Sequence, residues 1–299
     1  MSYIVTHQNP DMDAIASVWL LQRFGGLEEV EVKFVNTGSP DLAILAEATA
    51  VADTGKEIDP NRLRFDHHQL AGQAANDTCA AMQIFEFLIS QNPTIEYLRP
   101  LVNLIFAGDT GRPEANQSRE LGIHALLSGH KDFFAERKQR AGDNDILDFG
   151  LMLLDTLALR QRNQATAQAK LAERVVYKSS DGLIWAIKHG SAGSSFAAFD
   201  QGARIVVFEG EPIEVEGGIT YPIGLMRAGE WQEPDCGELV EVILADTPTG
   251  TAMASELVRW FRHPAGFFSG RGTAKAPVFE PVTIDSADLA RRIDFYWER

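Results

Sequence analysis

An α/β fold, with a mostly parallel sheet domain and a smaller α+β C-terminal domain, is predicted by three features of the sequence. Short β-branched runs alternate with helix-start signals over residues 2–66, a helical stretch fills 78–173, and strand signals return beyond it. A chain of 299 residues with 45% hydrophobic content has room for about two such domains. The expected division is 1–172, including a connecting helix, and 173–299.

Residues 2–6 (SYIVT) and 30–35 (VEVKFV) read as strands because they are brief, β-branched or aromatic, and bounded by polar residues. Asn9-Pro10-Asp11 and Ser39-Pro40-Asp41 then supply caps with an early proline, each ahead of an apolar run. Further strand-like pieces at 49–52 and 63–65 each run into an aspartate. Helical segments follow: CAAMQIFEFLIS, IEYLRPLVNLIFA, ELGIHALLS and a long one from about Asn144. In the C-terminal part, RVVYK and LIWAIK flank a Ser-Ser-Asp-Gly turn and predict a hairpin, and ARIVVFEG and ITYPIGLM add strands.

Composition narrows the function. The formal charge is -15, so long polyanions such as extended nucleic acid are repelled by most of the surface. Cys79 and Cys236 form neither a disulfide framework nor a Cys-x-x-Cys pattern, which fits a reducing cytoplasm. Neither a signal peptide nor an apolar run of membrane-spanning length is expected.

The chemistry sits in His7-x-Asn9-Pro10-Asp11-x-Asp13, Asp53, Asp66-His67-His68 and Asp109-Thr110-Gly111, each following an apolar segment. Each piece has an ordinary reading. Asp11 and Asp13 suit a helix start, Asp53 a turn, and His67-His68 a satisfied core pair. Together the four segments deliver five carboxylates and three imidazoles to one cleft, where the charge demands cations. Two divalent ions meet that demand, and mixed nitrogen and oxygen donors lean toward Mn²⁺, with Mg²⁺, Co²⁺ or another divalent ion as alternatives.

HQNPDMDAI, ADTG, FDHHQ and AGDTG resemble the four signature motifs of the DHH phosphoesterase superfamily over about the first 110 residues. The resemblance implies a Rossmann-like domain holding two Mn²⁺ ions and a smaller domain closing over the substrate. It places His7, Asp11 and Asp53 on one ion, and Asp13, Asp53, His67 and Asp109 on the other, with Asp53 bridging. DTGKEIDPNRLRFDHHQ and RHPAGFFSGRGTAKAP are also similar to segments of the melanocyte-proliferating-gene-one exonuclease family, although the first motif departs from it.

The reaction expected is hydrolysis of a small phosphodiester, nucleotide or short oligonucleotide by a two-metal mechanism. His68 would act on a phosphate oxygen or the leaving group, and Asp66 would orient a ligand imidazole. A phosphoanhydride hydrolase, cleaving pyrophosphate or polyphosphate, and a non-catalytic nucleotide or metal sensor are the alternatives. Residues 257–279 contain Arg259, Arg262, Arg271 and Lys275 without an acid, so His263, Gly270 and Arg271 are candidate contacts for a small phosphorylated substrate. The bland reading is a solvated basic loop.

Overall fold

The computed structural model describes residues 2–115, 121–173, 175–177, 184–187, 193–210, 212–229, 235–251, 259–271 and 285–297. The chain divides into two compact units, Met1–Arg162 and Asn163–Arg299. The alternation read from the sequence is realised in the first as a four-stranded, wholly parallel sheet of order β2-β1-β3-β4. Its strands are β1 (Tyr3–His7), β2 (Glu31–Val35), β3 (Ala50–Ala52) and β4 (Arg64–Phe65).

Strand periodicity sorts the core. Ile4 faces one side, into a cluster with Met12, Ile15, Trp19, Phe65 and Phe85, while Tyr3 and Val5 face the other, against Val35, Val51 and Leu45. Over these faces lie α1 (Met12–Phe24), α2 (Leu42–Glu47), the one-turn α3 (Gln73–Asn76), α4 (Ala80–Gln91), α5 (Arg99–Asp109), α6 (Ile123–Glu136) and α7 (Asp143–Lys170). α1 is buried along almost its whole length, because α4, α5 and α7 cover the sides the sheet does not. Asp155 on α7 accepts from Trp19 Nε1 at 2.8 Å and takes Arg23 as a two-point fork at 3.0 and 2.9 Å. Gly150 allows the same two helices to close: a Cβ there would stand 2.7 Å from Ile15 Cγ2.

The second unit holds a mixed six-stranded sheet of order β11-β12-β10-β7-β6-β5, in which, among the described residues, the β6–β7 pair is parallel and the other pairs are antiparallel. Its strands are β5 (Val175–Tyr177), β6 (Ile184–Ile187), β7 (Ile205–Glu209), β10 (Ile223–Arg227), β11 (Phe261–Arg262) and β12 (Phe268–Arg271). A separate hairpin joins β8 (Ile213–Val215) to β9 (Gly218–Thr220). The antiparallel pairing of β5 with β6 agrees with the expected hairpin, whose turn lies outside the described residues. Tyr221-Pro222 splits the ITYPIGLM run between β9 and β10, since proline cannot continue a ladder. α8 (Ser194–Asp200) packs on one face, and α9 (Cys236–Asp246) and α10 (Ser286–Trp297) on the other.

Among the described residues, no helix is long and apolar enough to cross a membrane.

Candidate metal centre

Parallel strands point their carboxyl ends the same way, and here three of the four deliver functional groups. His7 closes β1, Asp53 follows β3, and Asp66, His67 and His68 follow β4. The chain leaves β1 for β2 on one side and returns to β3 on the other, so β1 and β3 bound the crevice where ligands bind in open α/β sheets. Asp11 is the N-cap of α1, Asp13 lies in that helix's first turn, and Asp109 ends α5.

Two residues there have left-handed backbone: Asn9 with φ 52° and Asp53 with φ 55°. Such geometry costs an L-residue roughly 1–2 kcal/mol, so its surroundings must hold it. Asn9 N–H donates to Asp143 Oδ1 at 2.7 Å, Lys131 Nζ donates to the Pro10 carbonyl at 3.0 Å, and Asp53 N–H donates to the Phe65 carbonyl at 2.8 Å.

The two carboxylate oxygens of Asp53 serve different neighbours. Oδ2 lies 3.2 Å from His7 Nε2, which is 3.9 Å from Asp11 Oδ1. Oδ1 lies 3.7 Å from His67 Nε2, which in turn is 3.9 Å from Asp13 Oδ2 and 3.5 Å from Asp109 Oδ2. All six expected ligands are therefore brought together in two sets that share Asp53. His7 Nδ1 is 2.8 Å from the Gln8 carbonyl, which only accepts, so Nδ1 carries a proton and Nε2 is the nitrogen turned to Asp53 and Asp11. Asp13 is held from behind: its Oδ2 and Oδ1 accept from Ala80 and Ala81 N–H at 2.9 and 2.8 Å, at the start of α4. Asp11 also performs the capping its position predicts, accepting from Ala14 N–H at 3.0 Å.

Asp66 holds an imidazole, that of His68. Its Oδ1 bonds His68 Nδ1 at 2.7 Å and accepts from His68 N–H, while Oδ2 accepts from Lys56 N–H at 2.6 Å. The imidazole it fixes is thus His68, whose side chain is half exposed.

Crowded carboxylates perturb one another. Burial, with the charges of Asp53, Asp109 and Asp11, drives Asp13 well above the usual carboxylate range. Asp109 is pushed up to about 6 by burial and by Asp11 and Asp53, with His67 and His68 opposing. Burial pulls the His7 imidazole down, but Asp53, the Gln8 carbonyl and Asp11 together push it up to about 9. The Asp66 hydrogen bond raises His68 against its burial. Asp66 itself is lowered, because donors from His68 and Lys56 outweigh its burial.

These donors fit divalent ions. Asp53 Oδ1 and His67 Nε2 are buried without a hydrogen-bond partner, an expensive state unless a cation satisfies them. Among the described residues, three groups place one donor atom per residue within 4.8 Å: His7-Asp11-Asp53, Asp53-His67-His68 and Asp13-Cys79-Asp109. Cys79 is the member that sequence reasoning did not single out. Its buried thiol hydrogen-bonds Asp13, and burial together with that carboxylate drives it well above its usual range. A lone cysteine before a helix offers no signal that would have found it.

The other expected contacts belong to the second unit. Gly270 is buried inside β12, between β10 and β11, where a Cβ would meet the Phe268 ring at 2.6 Å and the Ile223 carbonyl at 3.2 Å. His263 Nδ1 accepts from Ala265 N–H at 3.1 Å, and its ring packs on Phe267. Arg271 ends β12 and its side chain, like residues 272–279, lies outside the described set. Arg262 is paired with Glu241.

Comparison with known proteins adds one family. Residues 3–83 match the MYG1 exonuclease family model, described as an uncharacterised protein family (UPF0160). That span carries every expected metal ligand except Asp109. No curated protein matches the chain. Among solved structures, an exopolyphosphatase-related protein from Bacteroides fragilis aligns at 15% identity over 99% of this chain and 92% of its own, with a TM-score of 0.28. An uncharacterised protein from Helicobacter pylori G27 aligns at 13% identity over 100% and 99%, with a TM-score of 0.27.

Proposed function

We propose that this chain is a divalent-metal-dependent phosphohydrolase acting on a small phosphodiester, nucleotide or short oligonucleotide, with Mn²⁺ as its metal. The observation that carries the reading is Asp53, whose two oxygens face two separate nitrogen-and-carboxylate sets. In this reading His7, Asp11 and Asp53 hold one ion, and Asp13, Asp53, His67 and Asp109 the other. The match to an exonuclease-labelled family over residues 3–83 supports phosphate-ester chemistry. When bound, such ions supply positive charge to phosphoryl oxygens and lower the pKa of a water.

The chain's own residues supply the rest. The α4 N-terminus fixes Asp13 through both oxygens, so that carboxylate is oriented before any ligand arrives. His7 is oriented by the Gln8 carbonyl. Asp66 holds the Nδ1 side of His68, so Nε2 is the nitrogen that delivers a proton to the departing oxygen or steadies a phosphoryl oxygen. The negative surface disfavours long polymers, which points to short substrates.

The test is product release from a model phosphodiester, pyrophosphate, nucleotides and oligonucleotides of graded length, with Mn²⁺ and after chelation. Metal-dependent turnover of the diester or short oligonucleotides is expected. Turnover of pyrophosphate alone, or of nothing, refutes the reading.

A further inference from the structure

Helices α6 and α7 each leave large apolar side chains in water along one face. On α7, Met152 and Leu159 are 58% and 49% exposed, and their spacing of two turns puts them on one stripe. Thr156 lies between them and spends its hydroxyl inside the helix, donating to the Met152 carbonyl at 2.8 Å. On α6, Leu126 and Phe133 are 51% and 47% exposed with the same two-turn spacing. One ring stack joins the two stripes: His130, one turn from both Leu126 and Phe133, lies at 4.1 Å on Phe149, one turn before Met152. Single exposed apolar residues are ordinary, whereas four large ones on two packed helices mark a surface that something covers.

Charge says what the cover is. The first half of α7 carries Asp143, Asp145, Asp148 and Asp155 and no base, and the second half carries Arg160, Arg162 and Lys170 and no acid. The helix dipole accounts for such charges only in the first and last turns, which leaves Asp148, Arg160 and Arg162 outside its reach. Asp155 is engaged by Trp19 and Arg23. Asp148 is exposed and, among the described residues, forms no ion pair. A helix segregated in this way complements another copy of itself when the two run antiparallel, because each acidic half then meets a basic half.

We propose that two copies of this chain associate through α7 packed antiparallel on α7, about a two-fold axis near Asp155-Thr156. Met152 of one copy then meets Leu159 of the other, and Asp148 of one copy lies level with Arg162 of the other. Each contact occurs twice, as an isologous interface requires. The Leu126 and Phe133 stripe flanks this seam and extends the apolar area beyond what a single helix offers. No residue of the metal centre takes part, so the association stands independently of the phosphohydrolase reading.

Sedimentation velocity on the full chain in chelator, over concentrations up to tens of micromolar, tests this without metal-mediated assembly. A concentration-dependent species of twice the chain mass is expected. Met152→Glu and Leu159→Glu, both at exposed positions, should each weaken the dimer about tenfold or more, whereas Leu42→Glu, at an apolar position 74% exposed elsewhere, should not. Asp148→Arg should also weaken it, and adding Arg162→Asp to that variant should restore it, an outcome only the antiparallel register gives. Circular dichroism melting of each variant at monomeric concentration should match the native chain. A chain that stays monomeric throughout overturns the proposal and leaves the patch to a different protein. A dimer that both glutamate variants leave intact, or a charge-swapped pair that fails to recover, overturns it as well.

Discussion

At the scale of single residues, the proposed centre depends on atoms held in place by neighbouring hydrogen-bond partners. His68 is oriented by Asp66, so His68→Gln should lower kcat by about 10²–10⁴-fold while metal stoichiometry is kept. Parallel loss of metal would place His68 among the ligands instead. Gly108 is the close approach beside Asp109: a Cβ there would lie 2.0 Å from His124 Nε2. Gly108→Ala should cost about 1–3 kcal/mol by displacing the imidazole and shifting the end of α5, read as a lowered denaturation midpoint. An unchanged midpoint would show that His124 swings away freely. The sequence showed His7, Asp11, Asp13, Asp53, His67 and Asp109 because each follows an apolar segment. It did not show that Asp66 serves His68, since neighbouring imidazoles are indistinguishable until their rotamers are fixed.

Elements place these residues. β1 and β3 lie side by side because both are short, apolar and parallel, and the β2 excursion between them opens the crevice. That much was legible in the alternation of β-branched runs and capped helices. The α4 start was less so: Cys79-Ala80-Ala81 reads as helix, but nothing local says that its first amides are satisfied by Asp13, 67 and 68 positions earlier. Asp143 opens α7, and its Oδ1 secures the left-handed Asn9 across 134 positions, a pairing no local pattern shows. The α1–α7 contact gives a prediction at this scale. Asp155→Ala leaves the buried Trp19 indole N–H without its acceptor and frees Arg23, which should destabilise the chain by about 1–3 kcal/mol in chemical denaturation. No measurable change would mean that α7 is not anchored through this carboxylate.

For the whole molecule, the concentration of charge at one crevice links stability to pH and to metal. Asp109 is raised from 3.8 to about 6 and His7 from 6.5 to about 9. Each binds its proton more tightly in the folded chain than in the unfolded one. Its favourable contribution is therefore complete below the unfolded value and is lost as pH rises through the folded value. The window is about pH 4–6 for Asp109 and about pH 6.5–9 for His7, so both act in the same direction. In chelator, the thermal midpoint should fall between pH 5 and pH 9, and saturating Mn²⁺ should flatten or reverse that fall by replacing protons with cations. A midpoint that rises with pH in chelator, or one indifferent to Mn²⁺, would mean that these groups are compensated in another way.

The central claim is that Asp53 joins two metal sites, and counting bound ions tests it most directly. Equilibrium dialysis against Mn²⁺ should give two ions per chain for the native sequence and fewer than one for Asp53→Ala, with the variant's folding verified by circular dichroism. Two ions retained in a folded Asp53→Ala chain, or no more than one in the native protein, would contradict the account.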